Sequence, residues 1–323
     1  MKSHHIDFDE KEINREHAEI GLPPVDIKVS KPHPILRIIS YLVMAVLLGL
    51  VLYFLSQLFL GKHERTGMQI ILQTLHDREF WTAVGVGLVA QVVDGALGMA
   101  YGVTSSSFLL AAGASPILAS GATHLAEVFT TGISGISHLR MGNVDRKLFI
   151  SLLIPGVIGG LVGTYVLSSI DGSVLKPWIS GYLLLMGLYV FFKAFGQIKI
   201  RAGIKPSRVV PLALLGSFMD STGGGGWGPI VTTTLVGSGH DPRTTIGSVN
   251  FAEFFLTMTI AAAFFSILDG SVWMIVAGLV VGGLFAAPFA AYITRHLKAK
   301  VLLILVGALI STISAFNLYR TLH

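Results

Sequence analysis

Cysteine is absent from all 323 residues. That excludes disulfides, thiolate metal sites and iron–sulfur clusters, and it leaves the redox compartment unreadable. Charge is also scarce. Asp, Glu, Lys and Arg make up 13% of the chain, against about 25% in a soluble domain. The apolar runs contain no central Lys or Arg. No two-histidine zinc motif and no nucleophile–base pair appears, which sets an intramembrane hydrolase aside. No cleavable signal peptide is visible, because the first apolar run follows about 34 polar residues of mixed charge. The net charge of +5 resides in the tail and the connecting loops. That distribution is a topology signal rather than a nucleic-acid-binding face.

What the chain does have is hydrophobicity, 52% of its residues, in several runs of about 20. The expected fold class is an all-α polytopic membrane protein. Inside the apolar runs lie two unusual stretches, 92–102 (VVDGALGMAYG) and 218–228 (FMDSTGGGGWG). They align without a gap when the chain is shifted by 126 positions. Asp94 falls on Asp220, Gly98 on Gly224, Tyr101 on Trp227 and Gly102 on Gly228. The match continues through Pro116 and Pro242, then Glu127 and Glu253. This is an internal duplication.

The chain divides accordingly. Residues 1–34 form a polar tail, and 35–60 an extra span that reaches about 39 Å if helical. Residues 61–79 are an extramembrane connection, 80–195 repeat one, 196–208 a basic linker and 209–322 repeat two. Each repeat opens with two short apolar pieces, 80–93 with 103–112 and 209–219 with 229–236. Neither piece is long enough to span alone. Ser115-Pro116 and Asp241-Pro242 are helix starts, and Asp145 caps a third helix. If each short pair is a re-entrant hairpin, the tail shares one side with the Arg140/Arg146/Lys147 loop, the linker and the Arg295/Lys298/Lys300 loop. Asp171 and Asp269 fall on the other, together with the Lys62/Arg65/Arg78 connection, which runs against the charge pattern. The positive-inside rule favours that arrangement. It gives seven crossings, inverted-topology repeats with broken helices, a cytoplasmic N-terminus and an outside C-terminus, in the cell inner (plasma) membrane. Inverted repeats of this kind carry their substrate at the interface, near the midplane.

Broken helices at membrane depth expose amides and positive dipole ends. The expected restarts lie near Val103-Thr104 and at Pro229. Facing each other, they would hold an anion without a buried Arg or Lys. The candidate substrate-binding residues are Asp94, Gly95, Gly98, Met99, Tyr101, Gly102, Thr104 and Ser105. Their counterparts are Asp220, Ser221, Thr222, Gly224, Gly225, Trp227 and Gly228. Ser106, Ser107, Thr232, Thr233 and Thr234 can add hydroxyls. The glycines can equally serve tight turns and close packing. Asp94 and Asp220 can equally bind loop amides and hold the turn, and Tyr101 and Trp227 can cover the site or simply pack. Intramembrane carboxylates are candidate proton carriers. His124, Glu127, Asn250 and Glu253 are therefore the candidate coupling or gating residues. His124, Glu127, Thr131, Ser134 and His138 step by three and four and share one helix face. No metal site is expected, because Asn250 stands where the copy would need a second His124. A divalent-metal or other cation carrier using the four carboxylates is the alternative. A membrane scaffold gains nothing from two helix breaks.

At these residues the chain resembles the sulfite exporter TauE/SafE family of membrane permeases. The resemblance covers roughly 80–322. It rests on the doubled D-(x)3-G-(x)3-G stretch, the proline-started helix with N/H-x-x-E, and the basic linker. It implies secondary transport of small sulfur-containing anions such as sulfite or organosulfonates. It implies no enzyme activity and no cofactor. The expected partners are a small anionic substrate, the lipid bilayer and coupling protons, with no nucleic acid; an oligomer is allowed.

Overall fold

A computed structural model describes residues 34–60, 67–97, 99–195, 206–268, 272–296 and 299–323. The tail before Pro34, Gly98, most of the linker at 196–208 and the loop residue Asp269 lie outside the described residues. All regular structure among the described residues is helical.

The first half holds α1 (Pro34–Leu60), α2 (Gly67–Leu75), α3 (Arg78–Leu97), α4 (Tyr101–Ala111), α5 (Pro116–Arg140), α6 (Arg146–Ser169) and α7 (Gly172–Lys193). The second holds α8 (Pro206–Gly223), a π-helical turn (Trp227–Thr232), α9 (Thr233–Gly237), α10 (Pro242–Phe265), α11 (Val272–His296) and α12 (Ala299–Leu322). Tyr101, Pro116 and Arg146 open elements in the first half. Trp227, Pro242 and Val272, each 126 positions on, open the corresponding elements in the second. Among the described residues, five helices combine the length and apolarity needed to cross a membrane: those in α1, α6, α7, α10 and α12. The chain is therefore an all-α polytopic membrane protein.

Local chemistry explains where helices begin. Ser115 caps α5 by accepting from the Leu118 amide, with Pro116 at the first helical position. Asp145, Asp171 and Asp241 cap α6, α7 and α10 in the same way. The expected short pieces are longer than their apolar runs. The helix expected at 80–93 runs from Arg78 to Leu97; Arg78 and Glu79 at its head are good helix formers, whereas at its tail it continues through Asp94 and Gly95 despite their low propensity. The restarts also fall two residues earlier than expected, at Tyr101 and Trp227 rather than near Val103 and at Pro229. The connection expected at 61–79 contains α2.

Packing between the halves is reciprocal. α3 lies along α11 while α8 lies along α6; α5 pairs with α10 and α7 with α12. Small residues permit the close crossings. A Cβ on Gly278 would meet the Phe80 carbonyl at 2.6 Å, and one on Gly163 would meet the Phe218 carbonyl at 2.7 Å. These contacts fix helix direction. Gly278 meets Phe80–Val84 and Gly282 meets Val84–Leu88, so α3 runs parallel to α11. Gly159 meets Leu214 and Gly163 meets Phe218, so α8 runs parallel to α6.

The bundle consequently has two distinct ends. One, the basic end, carries the start of α1, Arg140, Arg146, Lys147 and Lys193. The opposite end carries Asp77, Glu79 and Asp171, with Arg78, Lys176 and Arg320. Arg320 bonds the Ala111 carbonyl, which puts the end of α4 there too. Pro116 at the head of α5 packs on Gly172 at the head of α7. Thus α3 enters from the opposite end and α4 returns to it. The pair formed by α8 and the π turn with α9 enters from the basic end and returns there. α1 sits at the edge of the bundle. It touches α5 through Leu47 at Gly132 and Met44 at Arg140, and only 17% of its apolar window is buried, against 56% in α10.

Candidate functional site

The two helix breaks meet. A Cβ on Gly102, at the head of α4, would lie 2.8 Å from the Gly224 carbonyl and 2.8 Å from the Gly225 Cα. Gly225 is pressed against the Gly102–Val103 peptide with no room for a side chain. Gly224 turns the chain with φ of +69°, a conformation that favours glycine. Each break is held by the aspartate before it. Asp94 Oδ1 accepts from the Ala100 amide at 3.1 Å, and Asp220 Oδ1 from the Trp227 amide at 3.0 Å. The carboxylates cap the restarted helices, which places negative charge at each positive dipole end. Tyr182 braces the second break by donating its hydroxyl to the Gly225 carbonyl at 2.9 Å.

Beside the crossing lies a cavity of about 220 Å³. Asp94, Glu127, Asp220 and Glu253 all line it, from α3, α5, α8 and α10. No Lys or Arg does. Glu127 and Glu253 stand near mid-length on their helices, and Glu127 Oε1 lies 3.1 Å from where a Gly102 Cβ would be, at the head of α4. The cavity then follows Thr131, Ser134 and His138 down α5 and Asn250 and Ile246 along α10, toward the basic end. Hydroxyls of Thr130 and Thr131 bond back to the Glu127 carbonyl at 3.2 and 2.6 Å. Asn250 Nδ2 donates to Ser134 Oγ at 3.1 Å, tying α10 to α5.

Of the expected substrate-binding residues, Met99, Tyr101, Gly102, Gly225 and Gly228 also line the cavity. The others lie elsewhere. Ser105 donates to the Tyr101 carbonyl at 2.8 Å, and Thr222 to the Phe218 carbonyl at 2.7 Å. Ser221 does the same at 3.2 Å, and Thr233 and Thr234 bond carbonyls one turn back. These hydroxyls serve the helices rather than the cavity. Thr104 is fully buried away from it. Gly95 lies within α3, and Gly98 is outside the described residues. The aromatic pair divides its roles. Tyr101 faces the cavity, whereas Trp227 is fully buried, packs on Gly156 and donates Nε1 to the Val249 carbonyl at 3.3 Å. The α5 stripe divides too. Glu127, Thr131, Ser134 and His138 line the cavity, while His124 turns away, its Nε2 3.1 Å from Asp220 Oδ2.

Sequence reasoning missed Gln91, Ile246 and Tyr182. Gln91 had a signal, since it stands one turn before Asp94 on the same face of α3. Tyr182 had none, because its partner is a backbone carbonyl 43 positions on. Among the described residues, no three His, Asp or Glu side chains converge as metal ligands do.

No solved structure matches the chain. The model of the sulfite exporter TauE/SafE family matches residues 83–317. A probable membrane transporter protein of Bacillus subtilis, YtnM, is 42% identical over 241 residues, 72% of this chain and 80% of the relative. A second from the same organism, YunE, is 22% identical over 269 residues, 75% of this chain and 98% of the relative. A polytopic helical bundle with a polar cavity against two crossed helix breaks is a transporter's architecture, and the chain belongs to the sulfite exporter TauE/SafE family of membrane transporters.

Proposed function

We propose that the protein is a secondary transporter for a small sulfur-containing oxyanion, of the sulfite or organosulfonate class, and that protons travel with it. The observation that carries this reading is the crossing of two restarted helices beside a cavity lined by four carboxylates and, among the described residues, by no Lys or Arg. Backbone amides at helix starts attract anions. Four carboxylates in one buried space repel them. The two facts are compatible if the anion enters when protons neutralise the acids, so anion and protons share the cavity. Glu127 and Glu253 are the coupling pair, since Asp94 and Asp220 are occupied as caps. The halves are inverted repeats, and the basic end is cytoplasmic by the positive-inside rule. The cavity then faces the cytoplasm, and exchange of conformation between the repeats opens the other side.

Flux into proteoliposomes tests this. Sulfite should compete with thiosulfate and sulfoacetate but not with chloride, and an imposed proton gradient should drive its accumulation. Anion movement no greater than in empty vesicles would end the proposal. The same four carboxylates favour a cation carrier as the second reading. Stabilisation by a divalent metal that is lost in Glu127→Gln would support that one instead.

A further inference from the structure

Between the crossing and the opposite end, starting from Asp220 on the cavity wall, lies a seam of polar side chains from α4 and α5 that do not line the open cavity. Ser106 donates to the Gly224 carbonyl at 2.7 Å and Ser120 to the Ser221 carbonyl at 2.6 Å. Thr123 Oγ1 stands 3.2 Å from Ser105 Oγ and 3.3 Å from Ser106 Oγ. His124 closes the row on Asp220. Ser106, Ser120, Thr123 and His124 are at most 1% exposed. Burying so many polar groups costs free energy unless each is satisfied, and an ordinary helix contact here would be apolar. Three of these bonds join the first half of the chain to the second, so the seam holds the halves shut at this end.

Three counterparts of these residues lie open, whereas Thr232 and Val249, the counterparts of Ser106 and Thr123, are buried. Shifted by 126 positions, Ser120 becomes Ile246, His124 becomes Asn250 and Asp220 becomes Asp94, all three of which line the cavity. The packing is reciprocal, since α3 lies on α11 as α8 lies on α6. Exchanging the conformations of the two halves therefore moves the cavity from the basic end to the opposite end and lines it with the seam.

We propose that Ser106, Ser120, Thr123, His124 and Asp220 form the other half of the transport path. Here they are a closed gate; in the opposite-facing state they are a second binding surface for the oxyanion. This rests on the alternating-access reading above. The two surfaces are not equivalent. The basic end offers Ile246 and Asn250 to the substrate, whereas the opposite end offers hydroxyls and an imidazole nitrogen. The cavity at the basic end also has Thr131, Ser134 and His138, whose counterparts are Thr257, Ile260 and Phe264, so a small oxyanion would meet side-chain donors on both sides but from different positions. His124, paired with Asp220 of the other half, is the lock; its counterpart Asn250 also crosses between the halves, but to Ser134 rather than to Asp94.

The cysteine-free chain allows a direct test with a membrane-impermeant maleimide on the full-length reconstituted protein. The Ile246→Cys variant should label from the basic end. The Ser120→Cys and Thr123→Cys variants should label only from the opposite end, and slowly. Adding His124→Asn, which copies Asn250, should raise labelling of both severalfold and lower that of Ile246→Cys. Labelling of the seam variants from the basic end would overturn the inference. So would their silence in both backgrounds while the same vesicles carry sulfite. Labelling as expected, with no sulfite carried by vesicles of the unsubstituted chain, would instead remove the substrate reading and leave the gate standing. Monodisperse elution of each variant, and agreement between the two seam positions, separates a closed gate from a misfolded chain.

Discussion

Glycine at the crossing is a matter of contact distance. Gly225 has the Val103 backbone where a side chain would begin, and Gly224 adds a left-handed turn to a clash with Ser106. Gly225→Ala should cost about 1–3 kcal/mol and abolish flux, because backbone cannot move aside as a side chain can. Gly181→Ala is the control, since nothing lies within 4 Å of its Cβ position. Thermal unfolding in detergent measures both; equal midpoints would mean that the breaks do not touch. The aspartates follow a related logic. Asp94→Asn and Asp220→Asn keep an acceptor for the restart amide and should fold. Asp94→Ala should lose about 1 kcal/mol for the missing cap. Asp220→Ala should lose more, because His124 is then left buried without its partner. The pairing of Asp94 with Asp220 was readable from the duplication. Binding of loop amides by the aspartates, and packing by the aromatic pair, were each one of two open readings; which reading holds, and that Trp227 packs where Tyr101 faces the cavity, was not readable. Each depends on which way a side chain turns at a bend, and that is fixed by neighbours far along the chain such as Gly156 and Val249.

At the scale of the element, capping chemistry was the most legible feature. Ser115 and Asp241, each followed by proline, mark the heads of α5 and α10, and Asp145 that of α6. Asp171 caps α7 and is held below its ordinary carboxylate range, first by the Ser173 hydroxyl and then by the Ser173 amide. A lowered value means that the ionised cap contributes stability at neutral pH and loses it only as pH falls through that lowered value. Amide exchange at Ser173–Leu175 should therefore be constant from pH 7 to about 5, once corrected for intrinsic rates, and rise only in stronger acid. Asp171→Ala should show the fast exchange at every pH, and identical profiles for both proteins would refute the assignment. The lengths of the broken helices were less legible. Apolar runs mark what lies in the bilayer, whereas α3 continues through Asp94 to Leu97 because a helix stops where its backbone bonds stop, not where polarity begins.

For the whole molecule, the spacing of the basic loops and the reciprocal helix contacts are independent signals with one consequence. Charge groups Arg140, Arg146, Lys147 and Lys193 by a rule about insertion, and packing puts them at one end of the bundle by contact alone. Met141 is half exposed at that end, and His323 closes the opposite one. In intact cells, an impermeant thiol reagent should label His323→Cys and spare Met141→Cys; in inverted vesicles the preference should reverse. Labelling of both from one face would require an even number of crossings between them and would dissolve the inverted relation of the halves. α1 offers a separate check on what the transporter needs. It lies before the family match and meets the bundle mainly along α5. A protease site inserted at 62–65 and cut after membrane insertion should leave sulfite flux unchanged, because α1 contributes none of the residues that line the cavity. If cutting there stops flux, the bundle depends on α1 for more than its edge contact, and the duplicated region cannot be the whole transport machine.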